Sequence, residues 1–474
     1  MDLCRHQGRR RHPAGNPVHA RRQSRPRRDD ARGCARLGRQ RSHPHPHPRL
    51  TRRITMDVVR DLVAKRPDMW SLQIAREGQR FQINDFIHCV PSVSNVYLIK
   101  TTEGDIQINA GMGFEAPTIA KELAPVRSGP LPYLILTQGH VDHVGGVAQL
   151  RQPETKVIAQ KNNGDCQADD QRIKTVRNIQ SSTWFPMQTA TLHAPGTAPL
   201  QDVPKPDILV DDRLDFTLGG LDLELLSVPG GETVDSLAIH LPQHRIVFTG
   251  NMFGPLFPHF PNLVTIRGDR YRFAEPYLAS LRRVRDLEPA LLITGHFEPI
   301  VGRDLIRTCL DRLHDAVSYV HQTTLDGMNA GKDIFTLMRE VKLPDHLYVG
   351  EGYGKISFVV RTVWEQYMGW FKARATSEMY AAQPADIYAD LAALAGVDAV
   401  VALGRTKFDA GDPEVAQLLA EVALAKAPAD RSALALSLDA HRALLARTDP
   451  PNFWEAGWLR AHVAKLEQAV GGAA

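Results

Sequence analysis

No run of apolar residues in this 474-residue chain approaches the ~20 needed to cross a bilayer, so no membrane-spanning helix is expected. Cysteine is scarce. Of the five present, Cys4 and Cys34 fall in an atypical N-terminal stretch. The other three, Cys89, Cys166 and Cys309, are too few and too widely spaced for a disulfide framework. The first 55 residues lack lysine and have almost no aliphatic side chains. They hold sixteen arginines and three aspartates, about +13, which leaves about −9 for the rest of a chain whose net charge is +4. Beyond that stretch Lys and Arg are interspersed with Asp and Glu, which argues against a nucleic-acid surface.

The basic stretch ends in His43-Pro44-His45-Pro46-His47-Pro48. It cannot bury enough apolar surface to offset its ordering entropy, and it lacks the continuous apolar core of a secretory signal. Residues 1–55 therefore read as a disordered tail upstream of the true start, with a nucleic-acid or metal-binding arm as the alternative. Met56, just ahead of the amphipathic run Asp57 to Val63, is the expected beginning of a cytoplasmic protein.

What is present is organised around Thr137-Gln138-Gly139-His140-Val141-Asp142-His143-Val144-Gly145-Gly146. This stretch follows the apolar run Tyr133 to Leu136, a short buried strand, and precedes Val147 to Leu150, which open a helix. His140, Asp142 and His143 reach one divalent cation if the backbone turns sharply, a turn that the paired glycines permit. Two later strand ends offer similar groups: Glu232 after Pro229-Gly230-Gly231, and His296 after Leu291-Leu292-Ile293-Thr294-Gly295. Phe248-Thr249-Gly250-Asn251 has the same layout but ends in an amide. Each is weak alone; their shared place at strand ends gives them weight.

Strands are expected at Phe86 to Val90, Asn95 to Ile99, Asp105 to Ile108, Leu221 to Val228, Ser236 to Leu241 and Ile246 to Thr249, with helices between and around them. Periodicity by itself says mixed α/β. The last third reads as a stack of helices, Val397 to Asp409, Val415 to Ala427 and Ser432 to Ala446, broken at Gly411-Asp412-Pro413 and Pro428.

The motif around His140 resembles the His-x-His-x-Asp-His signature of the metallo-β-lactamase superfamily, with Gln138 in place of the first histidine. That resemblance implies an αββα sandwich. It narrows to the linear alkylsulfatases of that superfamily. Pro229-Gly230-Gly231-Glu232 is similar to their Pro-Gly-Thr-Glu, and Asn262-Leu263-Val264-Thr265-Ile266-Arg267-Gly268 to their Asn-Leu-Leu-Thr-Leu-Arg-Gly. Asp315 to Leu347 is similar to the helical connector. Tyr353-Gly354-Lys355-Ile356-Ser357-Phe358 through Tyr367-Met368-Gly369-Trp370-Phe371 is similar to Tyr-Gly-x-Val-Ser-His through Tyr-x-Gly-Trp-Phe. The implied organisation is a catalytic domain over 56–315 and, over 316–474, a connector with an alkylsulfatase-type dimerisation domain, hence a homodimer.

By resemblance two zinc ions share a water. One would use Gln138, His140 and Glu232, the other Asp142, His143 and His296, with Asn251 between them. Gln138 and Asn251 replace a nitrogen ligand and an anionic bridge by neutral amides, which weakens the first site. At least one ion is therefore expected on Asp142, His143 and His296, zinc first, with Mn2+ or Fe2+ as alternatives. One divalent ion lowers the pKa of bound water from 15.7 towards about 7, enough for hydrolysis.

Asp142 and His143 are the expected catalytic core, and Arg267 the anion-binding group unless it forms a surface salt bridge. Phe358 stands where the family has a histidine near the leaving group. The aromatic stretch Met252 to Pro261 either lines a pocket or packs on the body. The leading expectation is a hydrolase acting on an amphiphilic or apolar ester, a sulfate ester first. A lactonase, thioesterase or other carbon-ester hydrolase and a non-catalytic metal-binding dimeric scaffold are the alternatives.

Overall fold

The computed structural model describes residues 57–192, 201–263, 266–270, 272–448 and 451–472. The basic tail with Cys4 and Cys34, the expected start Met56, and Val264 and Thr265 lie outside the described residues.

Strands that are apolar at both odd and even positions leave neither face for water, and two sheets built largely of such strands lie back to back. The first has seven strands in the order β1 (Phe81–Asn84), β2 (Ile87–Val90), β3 (Val96–Thr101), β4 (Gly104–Ile108), β5 (Tyr133–Ile135), β6 (Lys156–Gln160) and β7 (Ile208–Val210). β1 to β4 pair antiparallel and β4 to β7 parallel. The second holds β8 (Arg213–Leu218), β9 (Leu221–Ser227), β10 (Leu237–Leu241), β11 (Ile246–Gly250), β12 (Leu291–Thr294) and β13 (Ile300–Val301), and only its β11–β12 pair is parallel.

Alternation sorts the side chains into layers. In β3, Tyr97 and Ile99 point between the sheets while Val96 and Leu98 point outward. In β11, Ile246 and Phe248 point inward and Val247 outward. The inner layer joins Ile106, Ile108, Ile135 and Ile158 to Leu223, Leu225, Leu237 and Ile239. Each such side chain contributes roughly 1.5–3 kcal/mol by leaving water. The helices Ala116–Leu123 and Val147–Leu150 cover the first sheet; Ala274–Arg285, Arg303–Asn329 and Ile356–Met368 cover the second. This is the αββα sandwich. β1, β7, β8 and β13 had no clear sequence signal because they are short or lie at sheet edges with alternate residues exposed.

The helix Arg303–Asn329 buries Ile306, Leu310, Leu313, Val317, Val320 and Thr324, an unbroken stripe at three- and four-residue spacing. It runs through residue 315, the expected domain boundary, and shares one core with Val228, Val247 and Val363. Beyond it the chain is all helical: Tyr388–Ala395, Val397–Asp409, Pro413–Lys426, Arg431–Ala446 and Phe453–Gly472. Asp412 and Asp430 cap two of these helices through Val415 N (3.2 Å) and Ala433 N (2.8 Å). Small residues at the contact, Ala416, Ala420 and Ala440, pack with Leu436 and let the helices approach closely. Among the described residues no single helix is long and apolar enough to cross a membrane; the apolar pair Pro384–Ala395 and Val397–Asp409 is bent by 106°.

One buried carboxylate pins three loops near the strand ends. Glu115 accepts backbone N–H bonds from Ala75 (2.8 Å), Val93 (2.9 Å) and Met112 (2.8 Å). Burial pushes its pKa up to about 7, although those bonds pull the other way. Replacing Glu115 by Ala removes the acceptor of three N–H groups, each costing roughly 1–3 kcal/mol if left unpaired. We expect Glu115→Ala to lose at least about 3 kcal/mol, read as a fall in the urea midpoint at unchanged slope.

Candidate metal centre

Four loops leave strand ends at one edge of the sandwich. The loop after β5 carries Gln138, His140, Asp142 and His143; those after β9, β11 and β12 carry Glu232, Asn251 and His296. Asp142 and His143 sit on a one-turn helix, Val141–Val144. The expectation that Gly145 and Gly146 permit an unusual turn is corrected here. Their φ angles, −62° and −92°, are open to any residue. What Gly146 supplies is space, since a Cβ there would lie 2.3 Å from Ala110 O. Gly295, just before His296, answers the same demand: its Cβ would fall 2.1 Å from Asn251 Oδ1.

Asp142, His143 and His296 each offer one ligand atom, all within 4.8 Å of one another. The hydroxyls beside His143 decide its tautomer. Ser94 Oγ donates to Gly295 O (3.2 Å) and Thr137 Oγ1 to Asn109 Oδ1 (3.0 Å), so both hydroxyl hydrogens are committed. Each oxygen lies 3.1 Å from His143 Nδ1 and accepts the ring N–H. Nε2 then keeps its lone pair, 3.6 Å from Asp142 Oδ2. Burial pulls His143 down to about 4, with Asp142 opposing, so the ring is neutral at pH 7. Burial raises Asp142, but the imidazoles of His143, His296 and His140 outweigh it and hold the carboxyl below its usual range. His296 Nδ1 is buried without a hydrogen-bond partner. A neutral imidazole, a carboxylate and an unpartnered buried ring nitrogen suit a divalent cation.

The other half of the centre is differently occupied. Gln138 Nε2 lies 2.9 Å from His140 Nδ1, and His140 Nε2 lies 3.4 Å from Asp269 Oδ2. A carboxylate only accepts, so Nε2 carries the hydrogen and Nδ1 accepts from the amide. Glu232 accepts from the Tyr353 hydroxyl and from Asn251 Nδ2 (2.8 Å), with Gln138 Nε2 at 3.5 Å and Arg272 Nη1 at 3.7 Å. Burial opposes its charge, but Arg272, His140 and Tyr353 pull its pKa down to about 2. Asn251 Nδ2 also lies 3.1 Å from His143 Nε2, so one amide spans both halves.

A cavity of about 150 Å³ opens onto Asp142, His296, His140, Glu232 and Asn251. Its apolar wall is Met69, Leu72, Val93, Phe185 and Trp454. Arg267 also lines it, with its guanidinium carbon 5.9 Å from the Phe185 ring centre and 5.8 Å from that of Trp454. Among the described residues Arg267 makes no ion pair, so the surface salt bridge does not form. A neighbouring cavity of about 270 Å³ shares His140, Asp142 and Arg267 and adds Asp170, Lys174 and Arg177.

Of the residues named from the sequence, His140, Asp142, Glu232, Asn251, Arg267 and His296 line this cavity, while Gln138 and His143 are fully buried behind it, against His140 and Asn251 respectively. Phe358 is not among the residues lining that cavity; its ring lies 5.3 Å from Lys355 Nζ. Of Met252 to Pro261 only Pro255 lines it, while Met252, Phe253, Phe257 and Phe260 pack in the core. Sequence reasoning missed Ser94, Asp269, Arg272 and Trp454, and quoted Tyr353 without a role. It also missed the helix Lys174–Ser181, which supplies Asn178 and Ser181 and buries no residue of its own, so no apolar stripe marks it.

Comparison with known proteins agrees with this architecture. Residues 89–296 match the metallo-beta-lactamase superfamily, and residues 335–456 match the alkyl sulfatase dimerisation family. Residues 89–296 thus carry a metallo-beta-lactamase superfamily domain, coupled to an alkylsulfatase-type dimerisation domain and with an atypical ligand set. It is 27% identical over 298 residues to a linear primary-alkylsulfatase of a Pseudomonas species, covering 58% of this chain and 56% of that one. To an (R)-specific secondary-alkylsulfatase of Pseudomonas sp. it is 25% identical over 349 residues, 68% of this chain and 52% of that one. The chain thus spans about half the length of these curated relatives. The solved structure of the stereoselective inverting sec-alkylsulfatase Pisa1 from Pseudomonas sp. superimposes with a TM-score of 0.71 at 21% identity, over 83% of this chain and 66% of that one, a likeness of fold.

Proposed function

We propose that the protein is a metal-dependent hydrolase that cleaves an ester of an apolar alcohol, a sulfate ester being the first substrate to test. One observation supports the reading: a single cavity is lined by Asp142 and His296 of the Asp142–His143–His296 cluster, by the Arg267 guanidinium, which makes no ion pair among the described residues, and by an apolar wall. Asp142, His143 and His296 would hold a divalent ion, zinc in the first instance and manganese or iron(II) otherwise, which would supply a lowered pKa for bound water and polarisation of ester oxygens. Asp142, ionised and open to the cavity, accepts a hydrogen bond from the attacking water and orients it. Arg267, 5.9 Å from the Phe185 ring centre and 5.8 Å from that of Trp454, presents a planar fork to two anionic oxygens. Met69, Leu72 and Trp454 receive the apolar alcohol and exclude water. The carbon-ester alternative drew on Phe358, which lies off the cavity wall, so the sulfate ester stands first.

The relatives' names and the matched dimerisation family support this reading and a homodimer with it. Exposed apolar side chains between residues 367 and 403, among them Trp370, Tyr380, Ile387 and Leu394 (86% exposed), suit a dimer contact. The free thiols Cys89, Cys166 and Cys309 suit a reducing, cytoplasmic setting.

Three outcomes are expected. His143→Ala abolishes dodecyl sulfate turnover and loses the bound metal, measured by sulfate release and elemental analysis; full metal occupancy with no ester hydrolysed would sink the proposal. Arg267→Ala lowers kcat/KM by roughly 10- to 100-fold, the ~1.5–3 kcal/mol of a charge-assisted hydrogen bond, with metal content unchanged. Leu394→Glu shifts the species seen by sedimentation from dimer to monomer.

A further inference from the structure

The ligand atoms of Asp142, His143 and His296 lie within 4.8 Å of one another, with one neutral amide, Asn251 Nδ2, 3.1 Å from His143 Nε2, whereas those of the Gln138–His140–Glu232 half face a guanidinium, a phenol and two amides. Glu232 accepts from the Tyr353 hydroxyl and from the amides of Asn251 and, at 3.5 Å, Gln138, and the Arg272 guanidinium forms an ion pair with it at 3.7 Å. His140 has no nitrogen to spare, since Nδ1 accepts from Gln138 and Nε2 donates to Asp269. The amide oxygens that would have to ligate a cation here, Gln138 Oε1 and Asn251 Oδ1, are buried without partners. Both amides give an N–H, not the oxygen, to Glu232.

Arg272 is built into this arrangement. It is 6% exposed, its Nη1 donates to Asn262 O (2.8 Å), and its Nη2 lies 3.5 Å from Asp269 Oδ2. A cation entering this half would pull Glu232 from a guanidinium with no water to fall back on. The charges also close. Relative to the two-ion centre implied by resemblance, losing one dication and one bridging carboxylate removes a single net positive charge, which is what one guanidinium carries.

We propose that the Gln138–His140–Glu232 half takes no metal and that Arg272 holds Glu232 in place of a second cation, making the centre mononuclear. Arg272 is a positioning residue: it fixes Glu232, which fixes the Asn251 amide against His143. The inference rests on the reading of Asp142, His143 and His296 as the ligand set, and metal counting separates the two.

The test uses the full chain equilibrated with excess Zn2+ and freed of unbound ion, with zinc per chain measured by plasma mass spectrometry. One ion per chain is expected. Two would overturn this inference and leave the ligand set standing; none would overturn both. The variant Gln138→His/Asn251→Asp restores the missing ligands while keeping Arg272, and should still take one ion. Adding Arg272→Met should raise the count to two. A double variant that already takes two, or a folded triple variant that still takes one, overturns the stand-in role of Arg272. If the triple variant does not fold, Co2+-loaded wild-type protein decides: an isolated high-spin signal supports the proposal, and a spin-coupled pair overturns it.

Discussion

Gly295 N donates to Gly250 O across 2.8 Å, and Gly295 O accepts from Asn95 N at the same distance. This backbone clasp brings the ends of β11 and β12 and the loop before β3 closer together than any side chain at position 295 would allow. Asn251 and His296 follow the two glycines directly. Ser94 reaches Gly295 O from the other side and receives the His143 N–H. The tautomer of His143, the place of His296 and the bridging position of Asn251 therefore depend on one close approach of backbones. Polar groups buried there are costly unless satisfied, so the clasp also dictates which partners each side chain meets.

Charge explains why the two halves of the centre differ. Burial raises the Asp142 carboxyl, and the imidazoles of His143, His296 and His140, with no guanidinium among them, bring it below its usual range. Around Glu232 a guanidinium, a phenol and two amides already supply the compensation. One anion sits in a cluster able to coordinate a cation and the other is compensated by its own neighbours, although the two groups lie in the same cavity. Asp269 extends the second arrangement outward, taking Arg177 Nη2 at 2.9 Å as well as His140 and Arg272.

The helical domain does more than follow the sandwich. Its last helix begins at Phe453, where Phe453 N donates to Gly352 O (2.9 Å) and Asn452 Nδ2 to Tyr353 O (3.2 Å). Trp184 Nε1 donates to Trp454 O at 2.8 Å. These bonds seat Trp454 in the cavity wall beside Arg267 and couple it to the Tyr353 loop that holds Glu232. The apolar side of the pocket thus depends on residues some 300 positions after the metal motif.

The chain's order of residues determined a good deal unaided. Short apolar runs at Asn95 to Ile99 and Ile246 to Thr249 marked strands, three- and four-residue spacing marked the late helices, and glycine before His140, Glu232, Asn251 and His296 marked the strand-end loops. These are local signals, set by a pleat, a helical turn or a missing Cβ within a few residues. Only the tertiary structure decided that Gln138 gives its N–H to His140, that Arg272 and Tyr353 meet Glu232, that Phe358 lies off the cavity wall and that Trp454 lies on it. Those outcomes follow from which buried donor finds which acceptor after distant segments pack. No periodicity in the chain encodes that pairing, because its energy exists only once water has been excluded.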